Sequence, residues 1–324
     1  MSFKDSVANK GRKSSADLDS KYPVLLIGFN RPKEICERAE EFLSWGTSEL
    51  YISIDGAKNN EDAVFSNEIR ARLEKFQSDS RVNLIFRSRN YGLREHLPTA
   101  VDEVLARNEA VIVIEDDIRC TPAFYENLCN SLKIHGDQYM TIGGFSSLPF
   151  HGSFMVNRWR ETKYFSAWGW GITRVSWSKY HRTIDLETFQ SQLCKSAIWK
   201  TLNYTQRETW TGRFVKIATG KSTWDFQMQY SSFVHELRHL NVVFRICENV
   251  GFEDARGTNT NSGRPFYLGS EVMSNSKFAT KHSSFIARTI LQWLDSVVIA
   301  GDRVILHKNA IRIRNVMACF HSKF

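Results

Sequence analysis

Ala110 to Arg119 reads AVIVIEDDIR, five apolar residues running straight into Glu115, Asp116 and Asp117. A continuous, mostly β-branched run of this kind predicts a strand buried on both faces, the pattern of a parallel sheet. Three adjacent carboxylates cannot stay inside such a sheet unpaired, because burying an ionised acid costs several kcal/mol or more. They are therefore expected at the strand's carboxyl end, where open α/β sheets bind ligands. Hard oxygen donors there suit Mg²⁺ or Mn²⁺, held by one or two carboxylates and completed by substrate phosphates. The bland reading is a solvated acidic loop after a strand, so the rest of the chain has to decide.

The pattern around that strand is α/β. Pro23 to Pro32 (PVLLIGFNRP) is a buried strand ending in a turn, and Lys33 to Trp45 follows with helical spacing. Leu50–Ile54 is a second strand that stops at Asp55-Gly56, Ala63–Phe76 a second helix and Val82–Phe86 a third strand. Leu97–Arg107 predicts a helix leading into the acidic strand, which completes a β-α-β-α-β-α-β opening and argues for a mostly parallel sheet. Beyond the acids, Thr121 and Pro122 read as the cap and first position of a helix to Leu132. Tyr139–Phe145 and Asn241–Ile246 read as further strands, and Ser222–Glu236 as a helix with Asp225 in or near its first turn.

At 324 residues the chain has room for one large domain or two small ones. A net charge of +8 fits a phosphate ester, but equally nucleic acid or an acidic membrane surface. No nucleic-acid-binding motif is present. Six scattered cysteines, with no C-x-x-C pair, read as buried thiols in a reducing compartment. Met1–Asp19 lacks the apolar core of a signal peptide, and no run of 18 apolar residues exists. GFNRP is neither a Walker sequence nor G-x-G-x-x-G, which disfavours P-loop and dinucleotide enzymes.

Several side chains remain open to two readings. Arg31 could meet an anionic group or be a surface charge before a proline, and Asp55 could bind a base or ribose or serve an Asp-Gly turn. Tyr164–Trp177 (YFSAWGWGITRVSW) could bring rings and backbone to a ligand or form an aromatic corner of the core. Asp225 alone could simply stabilise a helix end. His235 and His239 have i, i+4 spacing but no third metal ligand in sight. Ser283–Ala300 is amphipathic and is followed by Lys308, Arg312 and Arg314, a pattern for an anionic membrane or for packing on the domain or across a dimer.

In order, VLLIGFNRP, YISIDG, VIVIEDDI with TPAFYENL, YFSAWGWG, and TWDFQ with a downstream NVGF resemble nucleotide-sugar-dependent glycosyltransferases of the GT-A fold. The likeness is to the N-acetylglucosaminyltransferase I type and to bacterial surface-polysaccharide enzymes, over about three quarters of the chain. It implies a GT-A catalytic domain over 21–270; outside the resemblance, 1–20 lacks periodicity and reads as a flexible leader, and 271–324 as an amphipathic basic C-terminal extension. It also implies an inverting, metal-dependent hexosyl transfer from a nucleotide-diphosphate sugar (UDP by default) to a glycan or lipid-linked hydroxyl. By position, Asp117 would be the single protein ligand of Mn²⁺ or Mg²⁺, and Asp225 the catalytic base. Arg31 and Asp55 would contact the base, Glu115 and Asp116 orient ribose and sugar, and Trp168, Gly169 and Trp170 line the donor sugar and acceptor. The family's basic contact to the base has two candidates, Arg94 and His96. The location implied is the cytoplasm, with membrane contact through the C-terminus. The rival from another class is a non-catalytic sugar-nucleotide or glycan-binding protein on the same fold.

Overall fold

The computed structural model describes residues 21–146, 158–220, 224–253 and residue 295. Its opening half alternates as the sequence predicts: β1 (Val24–Gly28), α1 (Pro32–Ser44), β2 (Leu50–Ile54), α2 (Asn60–Leu73), β3 (Val82–Phe86), α3 (Leu93–Leu105) and β4 (Ala110–Glu115). A short strand β5 (Ile118–Cys120) and α4 (Pro122–His135) follow the acids, with Pro122 at the first helical position. Then come β6 (Ile142–Gly143), β7 (Trp159–Thr162), β8 (Trp170–Thr173), α5 (Arg174–Trp177), α6 (Phe189–Lys195), α7 (Ala197–Lys200) and α8 (Tyr204–Ala218). The described chain ends with α9 (Asp225–Val234), β9 (His239–Val242) and β10 (Cys247–Asn249).

Eight strands form one sheet in the order β3-β2-β1-β4-β8-β6-β9-β7, and β10 pairs with β5 in a separate ribbon. Strands β1 to β4 run parallel, while β8 and β7 are antiparallel to their neighbours. A mostly parallel sheet flanked by helices is the architecture the sequence predicts. Period-two alternation sorts its side chains between two layers. Val24, Leu26, Ile52, Ile112 and Ile114 pack with Ile35 and Phe42 of α1 and Leu128 of α4. Leu25, Ile27, Val111 and Val113 face the other way, onto Leu97, Val101 and Val104 of α3. A third core is helical and aromatic, joining Phe189, Trp199, Trp210, Phe214 and Phe233.

Three boundaries differ from the sequence reading. Helix α3 begins at Leu93 rather than Leu97, because Gly92, at φ +71°, turns the chain directly into it. Only Ile142–Gly143 pairs within the expected Tyr139–Phe145 strand. Of the expected Asn241–Ile246 strand only Asn241 and Val242 lie in β9; β10 begins after it, at Cys247, and belongs to the other sheet.

His235 and His239 do not share a helix. Helix α9 stops at Val234, Glu236 adopts φ +58°, and His239 opens β9. The leader and nearly all of the C-terminal extension lie outside the described residues. Within the extension, Asp295 is helical and buried, bound by both Nη atoms of Arg160 (2.5 and 3.0 Å) and by Thr162 Oγ1 at 2.7 Å. Asp295 thus touches the sheet at β7, its edge strand. Among the described residues, no helix is long and apolar enough to cross a membrane.

Candidate active site

Sheet order places a topological switch point between β1 and β4. After β1 the chain moves outward through β2 and β3, then returns to β4 on the other side. Crevices at such reversals, outside the carboxyl ends of the strands, are where open α/β sheets bind ligands. Ile27 is in register with Glu115, so the three acids leave β4 directly beside the turn that leaves β1.

That turn holds the acids. Phe29 N–H donates to Asp116 Oδ2 (3.2 Å), and Arg31 Nη1 lies 2.5 Å from Asp116 Oδ1 and 3.4 Å from Asp117 Oδ2. Arg31 and Asp116 are both buried, so this is an enclosed ion pair rather than a surface one. Arg31 thus enters the site as a partner of the acid cluster.

Asp117 is held from the other side by the β5–β10 ribbon. Its carbonyl accepts from Val250 N–H (2.8 Å), while Gly251 N–H donates to Asn249 Oδ1 (2.7 Å). A Cβ on Gly251 would fall 2.5 Å from Asp117 Oδ2, so only glycine leaves the carboxylate where it is. Asp117 Oδ1 is buried and makes no hydrogen bond of good geometry among the described residues, while the Asn249 side chain close by helps hold the carboxylate. A buried carboxylate oxygen left this way costs free energy unless something cationic or protic meets it.

Crowding and burial move the protons. Burial, followed by the charges of Asp117, Asp116 and Asp225, pushes Glu115 well above the usual carboxylate range, with Arg31 opposing. Burial also raises Asp116, against the pull of Arg31. Asp117 is pushed up to about 6, by burial first and Asp116 second, again with Arg31 opposing. A cluster that resists its own ionisation accommodates a hard cation well. No group of three or more His, Cys, Asp and Glu side chains suited to a metal occurs among the described residues. The donor set therefore fits Mg²⁺ or Mn²⁺ held by Asp117, with ligand oxygens completing the shell.

Asp225 lies in the first turn of α9, near enough for its charge to act on Glu115. Its placement depends on Trp170. That ring is fully buried and stacks on Trp224, immediately before Asp225, at 5.4 Å and 26°. Phe165 packs edge-on against both rings, and Tyr180 donates its hydroxyl to Trp224 O (3.3 Å). Trp170 is thus core, which corrects its expected place in the ligand-lining wall.

Trp168 and Gly169 pack against Cys247 of the β5–β10 ribbon. Trp168 is half-buried, edge-on to Phe145 (4.5 Å) and Phe252 (5.7 Å), and its carbonyl accepts from Cys247 Sγ. Gly169, at φ +65°, passes over Phe124 and Cys247 where a Cβ would meet both at 2.9 Å.

Three other assignments change. Asp55 accepts from Gly56, Tyr91 and Gly92 N–H and from Asn90 Nδ2, between 2.8 and 3.2 Å. These four bonds fill its acceptor capacity, so it shapes the loop after β3 instead of waiting for a base. Arg94 Nη2 donates to Ile217 O (3.2 Å), bridging α3 to the end of α8. His96 is buried with Nε2 2.8 Å from Ser53 Oγ, and burial lowers it to about 4.

The sequence reading missed what Asn249 and Gly251 do, although both lie in the NVGF motif. Their role depends on a ribbon between strands more than a hundred residues apart, which local patterning does not reveal.

No family model and no curated protein matches this chain. Among solved structures, it is similar to glucosyl-3-phosphoglycerate synthase of Mycobacterium tuberculosis in complex with Mn²⁺, UDP and phosphoglyceric acid. The identity is 13% and the TM-score 0.30, over 43% of this chain and 49% of the other. It is also similar to a mannosyltransferase of Pyrobaculum calidifontis in complex with GDP-mannose and Mn²⁺, at 11% identity and TM-score 0.37, over 67% and 71% of the two chains. A third is 4-diphosphocytidyl-2C-methyl-D-erythritol synthase of Anaerococcus prevotii, at 14% identity and TM-score 0.30, over 43% and 61%. The match thus spans about half the length of the first of these enzymes. Likeness at this level carries no weight for activity, which has to be argued from the site.

Proposed function

We propose that this protein is a nucleotide-sugar-dependent glycosyltransferase that transfers a hexosyl group with inversion. The observation that carries the reading is the acid cluster at the switch point, with a buried oxygen of Asp117 that lacks a well-formed hydrogen bond among the described residues and Asp225 close by in the first turn of α9. Asp117 would hold Mn²⁺ or Mg²⁺, which when bound would neutralise charge developing on the departing diphosphate. Arg31 fixes Asp116 and restrains Asp117, so the cluster is organised before any donor arrives. Glu115, with its raised proton affinity, would hydrogen-bond a sugar or ribose hydroxyl. Asp225 would take the proton of the acceptor hydroxyl as it attacks the anomeric carbon. Trp168, beside Phe145 and Phe252, would offer a ring face to the sugar.

UDP is the default nucleotide, by resemblance alone. The acceptor is read as a glycan or lipid-linked hydroxyl in surface polysaccharide synthesis, at the inner face of the membrane. That last expectation rests on the basic residues beyond Ala300 and is open to co-sedimentation with anionic vesicles. Failure of the full chain to pellet with them would remove it.

Turnover separates the enzyme from a binding protein on the same fold. Purified protein is incubated with Mn²⁺ and a panel of sugar nucleotides, with and without lipid-linked acceptors, and release of nucleoside diphosphate is followed. Release by the wild type that disappears in Asp225→Asn is expected. Metal-dependent nucleotide binding without release from any donor–acceptor pair would favour the non-catalytic reading.

A further inference from the structure

Two histidines that the proposed reaction does not use meet at the far end of α9. His181 Nε2 and His235 Nε2 lie 3.1 Å apart, with ring centroids at 5.2 Å and planes inclined by 32°. One residue fixes both. Ser231, fully buried, accepts the His181 backbone N–H on its hydroxyl (2.8 Å) and the His235 N–H on its carbonyl (3.0 Å). The His181 ring is also set edge-on against Tyr230, at 5.4 Å and 85°.

The spacing is informative. Imidazole nitrogens bind Zn²⁺ at about 2.0–2.1 Å, so two nitrogens 3.1 Å apart subtend about 95–100° at a shared ion. This lies between the square and tetrahedral angles; the two nitrogens now face each other as a hydrogen-bonded pair, so an ion would displace the shared proton and tilt both rings slightly toward itself. The location helps as well. His235 caps a ten-residue helix whose last turn has no basic residue, and the carbonyl end of a helix favours a cation.

We propose that His181 and His235 form a two-imidazole site for a borderline divalent transition-metal ion such as Zn²⁺, separate from Asp117. Burial lowers the proton affinity of both rings, and His181 followed by Lys179 adds to the effect on His235, which favours the neutral, ligating form. No third protein ligand joins them among the described residues, so water completes the shell and affinity is modest. The ion would tie the segment after α5 to the end of α9 opposite Asp225.

Calorimetric titration of the full chain with Zn²⁺ tests this, using wild type, His181→Ala, His235→Asn and Asp117→Asn, each checked for folding by circular dichroism. One equivalent should bind to wild type and to Asp117→Asn, and weaken roughly tenfold or more in each histidine variant. Electron paramagnetic resonance with Cu²⁺ should show two coupled imidazole nitrogens in wild type and one in His235→Asn, a variant at an exposed position. Unchanged Zn²⁺ binding in the histidine variants, or none by wild type, would overturn the site.

Discussion

The two sides of the proposed site are built on opposite plans. On one side, Glu115, Asp116 and Asp117 are packed against each other and restrained by a single buried arginine, so electrostatics dominates. On the other, Asp225 stands on a helix whose entry is set by stacked tryptophans, so packing dominates. One side keeps charge in a confined space, which is useful where an ion must be held. The other fixes the start of the helix that carries one carboxylate, which is useful where a proton must be taken from a particular place.

The largest expected effect comes from separating these roles chemically. Asp225→Asn should reduce turnover by about 10²–10⁴, the usual contribution of a general base, while leaving Mn²⁺-dependent nucleotide binding intact. A variant that loses binding as well would mean that Asp225 belongs to the donor side. Steady-state kinetics beside calorimetry resolves the two.

Stability comes next. Arg31→Ala leaves a buried acid without its partner and should cost about 3–5 kcal/mol. Trp170→Ala should cost a similar amount, about 3–5 kcal/mol, by opening a cavity under α9. The two should respond differently to protons. Lowering pH protonates Asp116 and should relieve the Arg31→Ala defect, whereas the Trp170→Ala defect should not be relieved. Urea midpoints at two pH values would show whether charge and packing divide in this way.

A smaller effect sharpens the packing side. His239 is buried, with Nδ1 2.7 Å from Thr141 Oγ1, and burial holds its proton affinity down at about 3. Its folded value lies below its unfolded one, so the stability it contributes is present above pH 6.5 and lost as pH falls toward 3. By pH 4.5 the loss should be on the order of 2–3 kcal/mol relative to a His239→Asn variant, read from the difference between their urea midpoints.

The smallest effect sharpens the electrostatic side. Gly251→Ala should push the Asp117 carboxylate aside and weaken Mn²⁺ binding by about tenfold, with little change in nucleotide affinity in the absence of metal.

The acid cluster was legible because strand period and carboxylate desolvation act over ten residues of sequence. The α/β opening was legible for the same reason, and so was the place of Asp225 in the first turn of a helix, although that helix is capped at Trp224. Trp170 was misread because an aromatic-glycine stretch has the same composition whether it lines a cleft or fills a core. Only the Trp224 stack, 54 positions away, decides between them. Asp55 was misread because its four donors include three backbone N–H groups, and backbone positions are silent in side-chain patterning. His181 and His235 were out of reach, since their meeting depends on how α9 ends.

The most direct test of the account is thermal-shift binding of UDP, GDP, dTDP and CMP, each with and without Mn²⁺, to wild type and Asp117→Asn. A ligand that binds only the folded form raises stability with ln(1 + [L]/Kd). One diphosphate should stabilise the wild type only when Mn²⁺ is present, less so below about pH 6 where Asp117 takes up a proton, and the shift should vanish in Asp117→Asn. A folded wild type that no nucleotide stabilises, or an equal Mn²⁺-dependent shift in Asp117→Asn, would contradict the assignment of this site.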